Sequence, residues 1–180
     1  MCDCATAQGG NRMDYKITKM RSLKLVGFQK EFSPDTSYIE IPKFWSEIFR
    51  NFHAGNASAN PCVKAMIDYR IGEYGVCVDD LGADKFRYMI AGKYTGGEIP
   101  DGMMLYEFPA GDWAIFDCFG PNPETLQAAN TEIFRHWLPE NPEYKLSVGV
   151  TIEWYDCTAD QNDPNYHSAV WIPVKRKQIV

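Results

Sequence analysis

The residues of this 180-residue chain best placed to do chemistry sit in one short run, Val148-Gly-Val-Thr-Ile-Glu-Trp-Tyr-Asp156. β-Branched and aromatic residues dominate it, with Gly149 as the weak point, so it reads as a strand. Alternation puts Val150, Ile152 and Trp154 on one face and Thr151, Glu153 and Tyr155 on the other. The first set suits a packed core. The second sets a carboxylate between a hydroxyl and a phenol in mid-strand. Such a carboxylate is either solvated on an open sheet face or held in a pocket where its charge has a use.

Other titratable residues form no comparable set. His53, His136 and His167 have no Ser or Cys partner that suggests a triad and no spacing that suggests a metal site. Six cysteines, at 2, 4, 62, 77, 118 and 157, lack the pattern of a disulfide scaffold and read as free thiols. Cys2-x-Cys4 has no second pair to complete a tetrahedral metal set, and Asp79, Asp80 and Asp84 read as a solvated turn. No metal and no cofactor is expected.

Composition narrows the function classes. A net charge of −6 argues against direct nucleic acid binding, which needs clustered Lys and Arg, and the short basic run Lys175-Arg-Lys177 does not reverse that. A negative body tolerates neutral or cationic partners instead. No apolar run approaches the roughly 20 residues of a membrane span, and the N-terminus lacks the pattern of a signal peptide, so a cytoplasmic protein is expected. Aromatic residues are plentiful at 14%, enough to fill a core and line a ligand pocket as well.

Several elements must position Glu153. Residues 1–13 read as disordered, and 14–180 as one domain. Strands are expected at 23–28, 74–78, 86–91, 103–108, 112–119, 148–156 and 168–174, the last with Pro173 suggesting an edge or a strand end. A helix is expected over 38–52, with Pro42 in its first turn and an apolar stripe from Ile41 to Phe52. A second starts at Asn122-Pro-Glu124 with Asn122 as cap, and Pro139 stops it. Residues 53–68 look like loop. The two helices share letters: Trp45-Ser-Glu-Ile-Phe-Arg-Asn-Phe52 and Asn130-Thr-Glu-Ile-Phe-Arg-His-Trp137 lie 85 residues apart. Each half, about 14–95 and 103–175, reads strand, helix, strand, strand, which implies duplication. The expected fold class is therefore α+β: duplicated β-α-β-β units in a pseudo-two-fold antiparallel sheet, two helices on one face and a ligand groove on the other.

Tyr106-x-x-Pro-Ala-Gly-Asp-Trp-Ala-Ile-Phe116, Gly120-Pro121, Phe134-x-x-Trp-Leu-Pro139, Ile152-Glu-Trp-Tyr-Asp156 and Trp171-Ile-Pro-Val-Lys175 occur in order. Together, over about residues 14–175, they resemble the GyrI-like (gyrase-inhibitor-like) effector-binding domain. That domain forms the C-terminal sensor of bacterial transcription regulators of the AraC and MerR types and also occurs alone. The resemblance implies a groove for small organic molecules, often lipophilic cations, in a multidrug-binding role, with a buried Glu among aromatic rings as counter-charge. That Glu maps onto Glu153. The aromatic of the Pro-Ala-Gly strand maps onto Trp113, where Tyr is common, and the one before Ile-Pro-Val-Lys onto Trp171. No helix-turn-helix precedes the domain in this sequence, so a DNA-binding domain or protein partner would act in trans.

Given that fold, parity assigns Ala114, Phe116, Val170, Ile172 and Val174 to the helix-facing core. It leaves Trp113, Ile115 and Trp171 for the groove, on the side of Glu153 and Tyr155. From the first half, Tyr38, Tyr88 and Met89 are candidate contacts, with Phe44 better placed in the core. The expected role is binding of a small hydrophobic compound, cationic or neutral aromatic, by a sensor or sequestering protein. Two alternatives stay open. One is a small-molecule hydrolase with Glu153 as general base and Tyr155 or Tyr88 assisting, a chemistry the resemblance also implies. The other is a protein-binding inhibitor of the DNA gyrase type.

Overall fold

The computed structural model describes residues 13–54, 60–79 and 84–178. Residues 1–12 of the segment expected to be disordered, the Cys2-x-Cys4 pair and Asp80 of the acidic turn lie outside the described residues. The elements are β1 (Lys16–Met20), β2 (Leu23–Phe32), α1 (Ser37–Ala54), α2 (Pro61–Asp68), β3 (Tyr74–Val78), β4 (Phe86–Lys93), β5 (Met104–Phe108), β6 (Gly111–Phe119), α3 (Glu124–Glu132), β7 (Tyr144–Leu146), β8 (Val150–Tyr155) and β9 (His167–Arg176). A π-helical turn, Ile133–Trp137, and a last turn, Leu138–Glu140, prolong α3.

All nine strands join one antiparallel sheet in the order β1-β6-β9-β8-β3-β4-β2-β5, with β7 added on β9. Outward from the middle the two sides run β8-β9-β6 and β3-β4-β2, each with a helix between its first and second strands in sequence. This is the α+β duplicated plan the letters of the two helices suggested. β5 and β6 are joined by only two residues yet lie near opposite ends of the sheet, so the sheet must curl until its ends approach. Phe108 and Trp113, 6.4 Å apart between ring centroids, close that approach.

Curling buries both faces. On the helix side, α1 and α2 pack on Val26, Tyr88 and Ile90, while α3 and its continuation pack on Ala114, Phe116, Val170 and Ile172. On the other side Leu25, Val76, Met89, Trp113 and Ile152 form a second core within the curl. The open face expected there does not exist.

Six local expectations also change. Helix α2 lies in the segment read as loop; Asn60 caps it, accepting from Cys62 N at 3.0 Å, with Pro61 opening the first turn. Pro42 lies inside α1 rather than in its first turn, and the exposed Tyr38 one turn earlier loses an amide donor. Asn122 does not cap α3, whose start at Pro123 has no side-chain cap. Pro139 falls within the helix's last turn rather than ending it. Strands β1 and β7 were not foreseen. β9 is interior rather than an edge, but Pro173 sits in the gap between its pairing with β8 (to Trp171) and with β7 (from Val174). The Pro173 carbonyl accepts from Ser147 N on that side, so its missing N–H falls where no ladder bond is lost.

Candidate functional site

Glu153 projects from β8 to the helix side of the sheet, at the level where Gly75 of β3 is its partner on one side and Val170 of β9 on the other. Gly75 leaves the space the carboxylate needs. A Cβ at that position would lie 2.3 Å from the Tyr88 hydroxyl oxygen and 2.7 Å from Glu153 Oε2.

Two phenols hold the carboxylate. The Tyr155 hydroxyl donates to Glu153 Oε2 at 2.7 Å, and the Tyr88 hydroxyl donates to the same oxygen at 2.9 Å. Trp45 of α1 donates its indole Nε1–H to the Tyr88 oxygen at 3.2 Å and meets Tyr155 edge to face at 5.5 Å. Tyr155 and Glu153 are two residues apart on one strand, so a phenol leaning along the strand reaches the carboxylate directly, without a substrate to bridge them. Among the described residues no Lys or Arg pairs with Glu153, and no hydrogen bond reaches Oε1.

Burial raises the Glu153 carboxyl above its ordinary range, and the hydrogen bonds from Tyr155 and Tyr88 oppose that rise. Burial and the Glu153 charge push both phenols well up, so they remain donors at neutral pH. The Cys77 thiol is pushed up to about 12, first by burial and then by Glu153. It stays protonated, and a thiolate nucleophile is not available here.

Above the carboxylate a hollow of about 370 Å³ opens between the start of α1 and the start of α3. Tyr38, Ile41 and Trp45 form one wall, Leu126 and Gln161 the other, and Tyr88, Tyr155 and Glu153 the floor. The site is apolar and aromatic with one acid at its base.

Of the residues expected around Glu153, the structure brings Tyr155, Tyr88 and Tyr38 together there. It does not bring Trp113, Ile115, Trp171 or Met89. Trp171 pairs with Ile152, and Ile115 pairs with Trp171, which places them on the opposite face of the sheet from Glu153. Trp113 and Met89 are almost fully buried in the inner core, and Trp171 packs edge to face on Tyr74 at 5.9 Å. Alternation within each strand holds, but the facing expected for β8 does not: Val150 and Ile152 turn into the inner core, and Glu153 and Tyr155 share the helix side with Val170, because both sheet faces pack. Phe44 is core, as expected. Sequence reasoning missed Trp45, which lies in the apolar stripe, and Gly75, whose signal is a glycine inside the otherwise apolar strand Tyr74–Val78. The described histidines lie elsewhere: His136 faces Glu140 at 3.6 Å and His167 faces Asp117 at 3.0 Å. Among the described residues no group of three His, Cys, Asp or Glu could hold a metal ion, and no helix is long and apolar enough to cross a membrane.

A family model described as the GyrI-like small molecule binding domain matches residues 13–175. The transcriptional regulator BrlR of Pseudomonas aeruginosa is 28% identical over 103 residues, which is 56% of this chain and 37% of that protein. The chain thus spans well under half the length of this curated relative. Among solved structures, SAV2435 bound to tetraphenylphosphonium superposes with a TM-score of 0.73 at 20% identity, over 91% of this chain and 94% of its own. The C-terminal domain of EcmrR superposes with a TM-score of 0.59 at 14% identity, over 92% and 99%. At these identities the two structures share the fold.

Proposed function

Because this chain belongs to the GyrI-like small molecule binding domain family, we propose that it receives an apolar organic cation in the hollow over Glu153 and acts as a ligand-sensing unit in transcription regulation. The observation that carries the reading is a half-buried carboxylate with two neutral donors, no cationic partner among the described residues, and aromatic walls. A buried acid without a counter-ion is costly. A ligand cation placed against it supplies the missing charge and gains about 0.5–2 kcal/mol per ring from cation–π contact. The regulatory part is supported by the BrlR likeness. Tetraphenylphosphonium, the ligand in the SAV2435 structure, is the natural first probe.

The test is calorimetric titration with tetraphenylphosphonium and, as a neutral counterpart, triphenylphosphine oxide. We expect micromolar binding of the cation. Glu153→Gln should weaken it by about 2 kcal/mol, roughly thirty-fold, and leave the neutral compound within about two-fold. Equal losses for both compounds would show that the carboxylate is not a counter-charge.

The same geometry supports a second reading. A carboxylate with a raised pKa and two phenols within hydrogen-bond reach meets the requirements of a general base. Turnover of simple aryl esters or epoxides that disappears in Glu153→Gln would place hydrolysis first.

A further inference from the structure

On the far side of Glu153 from the first hollow lies a second one, larger at about 640 Å³, between β3, β8 and the α3 end of the helix layer. Glu153 belongs to both, while Tyr88 and Tyr155 line only the first. The lining of the second differs in kind. Phe86, Phe134 and Val150 give it apolar surface, and Cys77, Thr151 and Asn130 give it uncharged hydrogen-bonding groups. The Asn130 side-chain oxygen is enclosed and has no hydrogen-bond partner. Besides Glu153, its charged residues are Asp79 and Lys85, and Lys85 is 3.3 Å from Glu31. Phe134 is presented by the π-helical turn that prolongs α3, a local widening that often marks a working site.

From this we infer that Glu153 is shared by two subsites, and that the ligands of this domain are elongated cations: a positive, aromatic head in the first hollow and an uncharged, hydrogen-bonding arm in the second. This rests on the cation reading proposed above. Both phenols hold Oε2, so Oε1 is the oxygen left for the ligand's charge, on a residue that lines both hollows. The unpartnered Asn130 side-chain oxygen and the Thr151 and Cys77 groups favour a hydroxyl or amide over a plain alkyl chain.

Three probes separate the parts: methyltriphenylphosphonium, hexyltriphenylphosphonium and (6-hydroxyhexyl)triphenylphosphonium, titrated into the full chain and into Asn130→Leu and Thr151→Phe. On the unmodified chain the hydroxyhexyl compound should bind about ten-fold tighter than the methyl compound, and tighter than the hexyl compound. Thr151→Phe, which fills the second hollow, should bring the hydroxyhexyl-to-methyl ratio to about one. Asn130→Leu, on the helix and tolerant of Leu, should remove the advantage of hydroxyhexyl over hexyl. Both variants should keep the affinity for the methyl compound within about two-fold. If the methyl compound binds but the arm adds nothing, or its gain survives both variants, the two-subsite inference falls and the cation reading stands. If none of the three binds the unmodified chain, the cation reading falls and takes this inference with it.

Discussion

Under the proposed reading, Glu153 is the residue at which stability and ligand binding oppose each other. Its folded pKa lies above the ordinary carboxylate value, chiefly through burial. For an acid with a raised folded pKa, both states are protonated below the unfolded value and the group costs nothing there. As pH rises through the folded pKa, the folded state must hold a buried charge and loses stability. Glu153→Gln should therefore stabilise the chain at neutral pH, by on the order of 1 kcal/mol or about 2–4 °C in Tm, and show no gain at pH 3. Thermal melts at the two pH values check this. Cation binding needs the ionised form, so affinity should fall as pH drops through the folded pKa. In that window binding should release protons, visible as a buffer-dependent heat. At this scale the sequence was informative about Glu153, since a carboxylate on a strand otherwise built for packing stands out. It was not informative about Trp113 and Trp171, because alternation says which residues share a face and not what lies over that face.

At the scale of elements, the site is a product of two strands from different halves. β8 supplies the acid, β4 supplies Tyr88, and β3 between them supplies an absence of side chain at Gly75. Strands and hairpins were largely legible because their β-branched runs and turn residues are local signals. Helix α2 was hidden by its Ala- and Asn-rich approach, although Asn60-Pro61 carried a start signal. The pairing of Gly75 with Glu153 is non-local and left no mark in either strand. Its consequence can be measured. Gly75→Ala forces apart Tyr88 and Glu153, whose oxygens would lie 2.3 and 2.7 Å from the new methyl. We expect a loss of about 1–3 kcal/mol of stability by overpacking and at least about ten-fold in cation affinity. The Tyr88 bond helps hold the Glu153 pKa down, so losing it should also move the pH midpoint of binding upward. In a Tyr88→Phe background the hydroxyl is gone, so the alanine should cost less. Equal costs in the two backgrounds would mean that Gly75 serves only the strand.

The whole molecule places an acid groove on an acidic body. Lys and Arg number 18 against 24 Asp and Glu. The basic run near the end of β9 is occupied locally: Arg176 lies 3.9 Å from Glu143, and Lys177 donates to the Asn141 carbonyl at 2.7 Å. Duplex DNA binding draws most of its non-specific affinity from phosphate neutralisation, each contact adding about 0.9 to the salt slope. A protein with several such contacts needs a cationic face, and recognition in the major groove needs a helix or ribbon that presents it. The outward faces of α1 and α3 carry mixed charge, with Glu40, Lys43, Glu47 and Arg50 on the first and Glu124, Glu132 and Arg135 on or just beyond the second. We therefore expect the 180-residue chain to leave the mobility of duplex DNA unchanged at about 150 mM salt, with or without tetraphenylphosphonium. In that case a regulatory role would require DNA contacts from another domain or subunit, with this unit contributing the ligand-dependent part. A sequence-specific shift by the chain alone, surviving competitor DNA, would instead place a reading surface on this fold and overturn the division of labour.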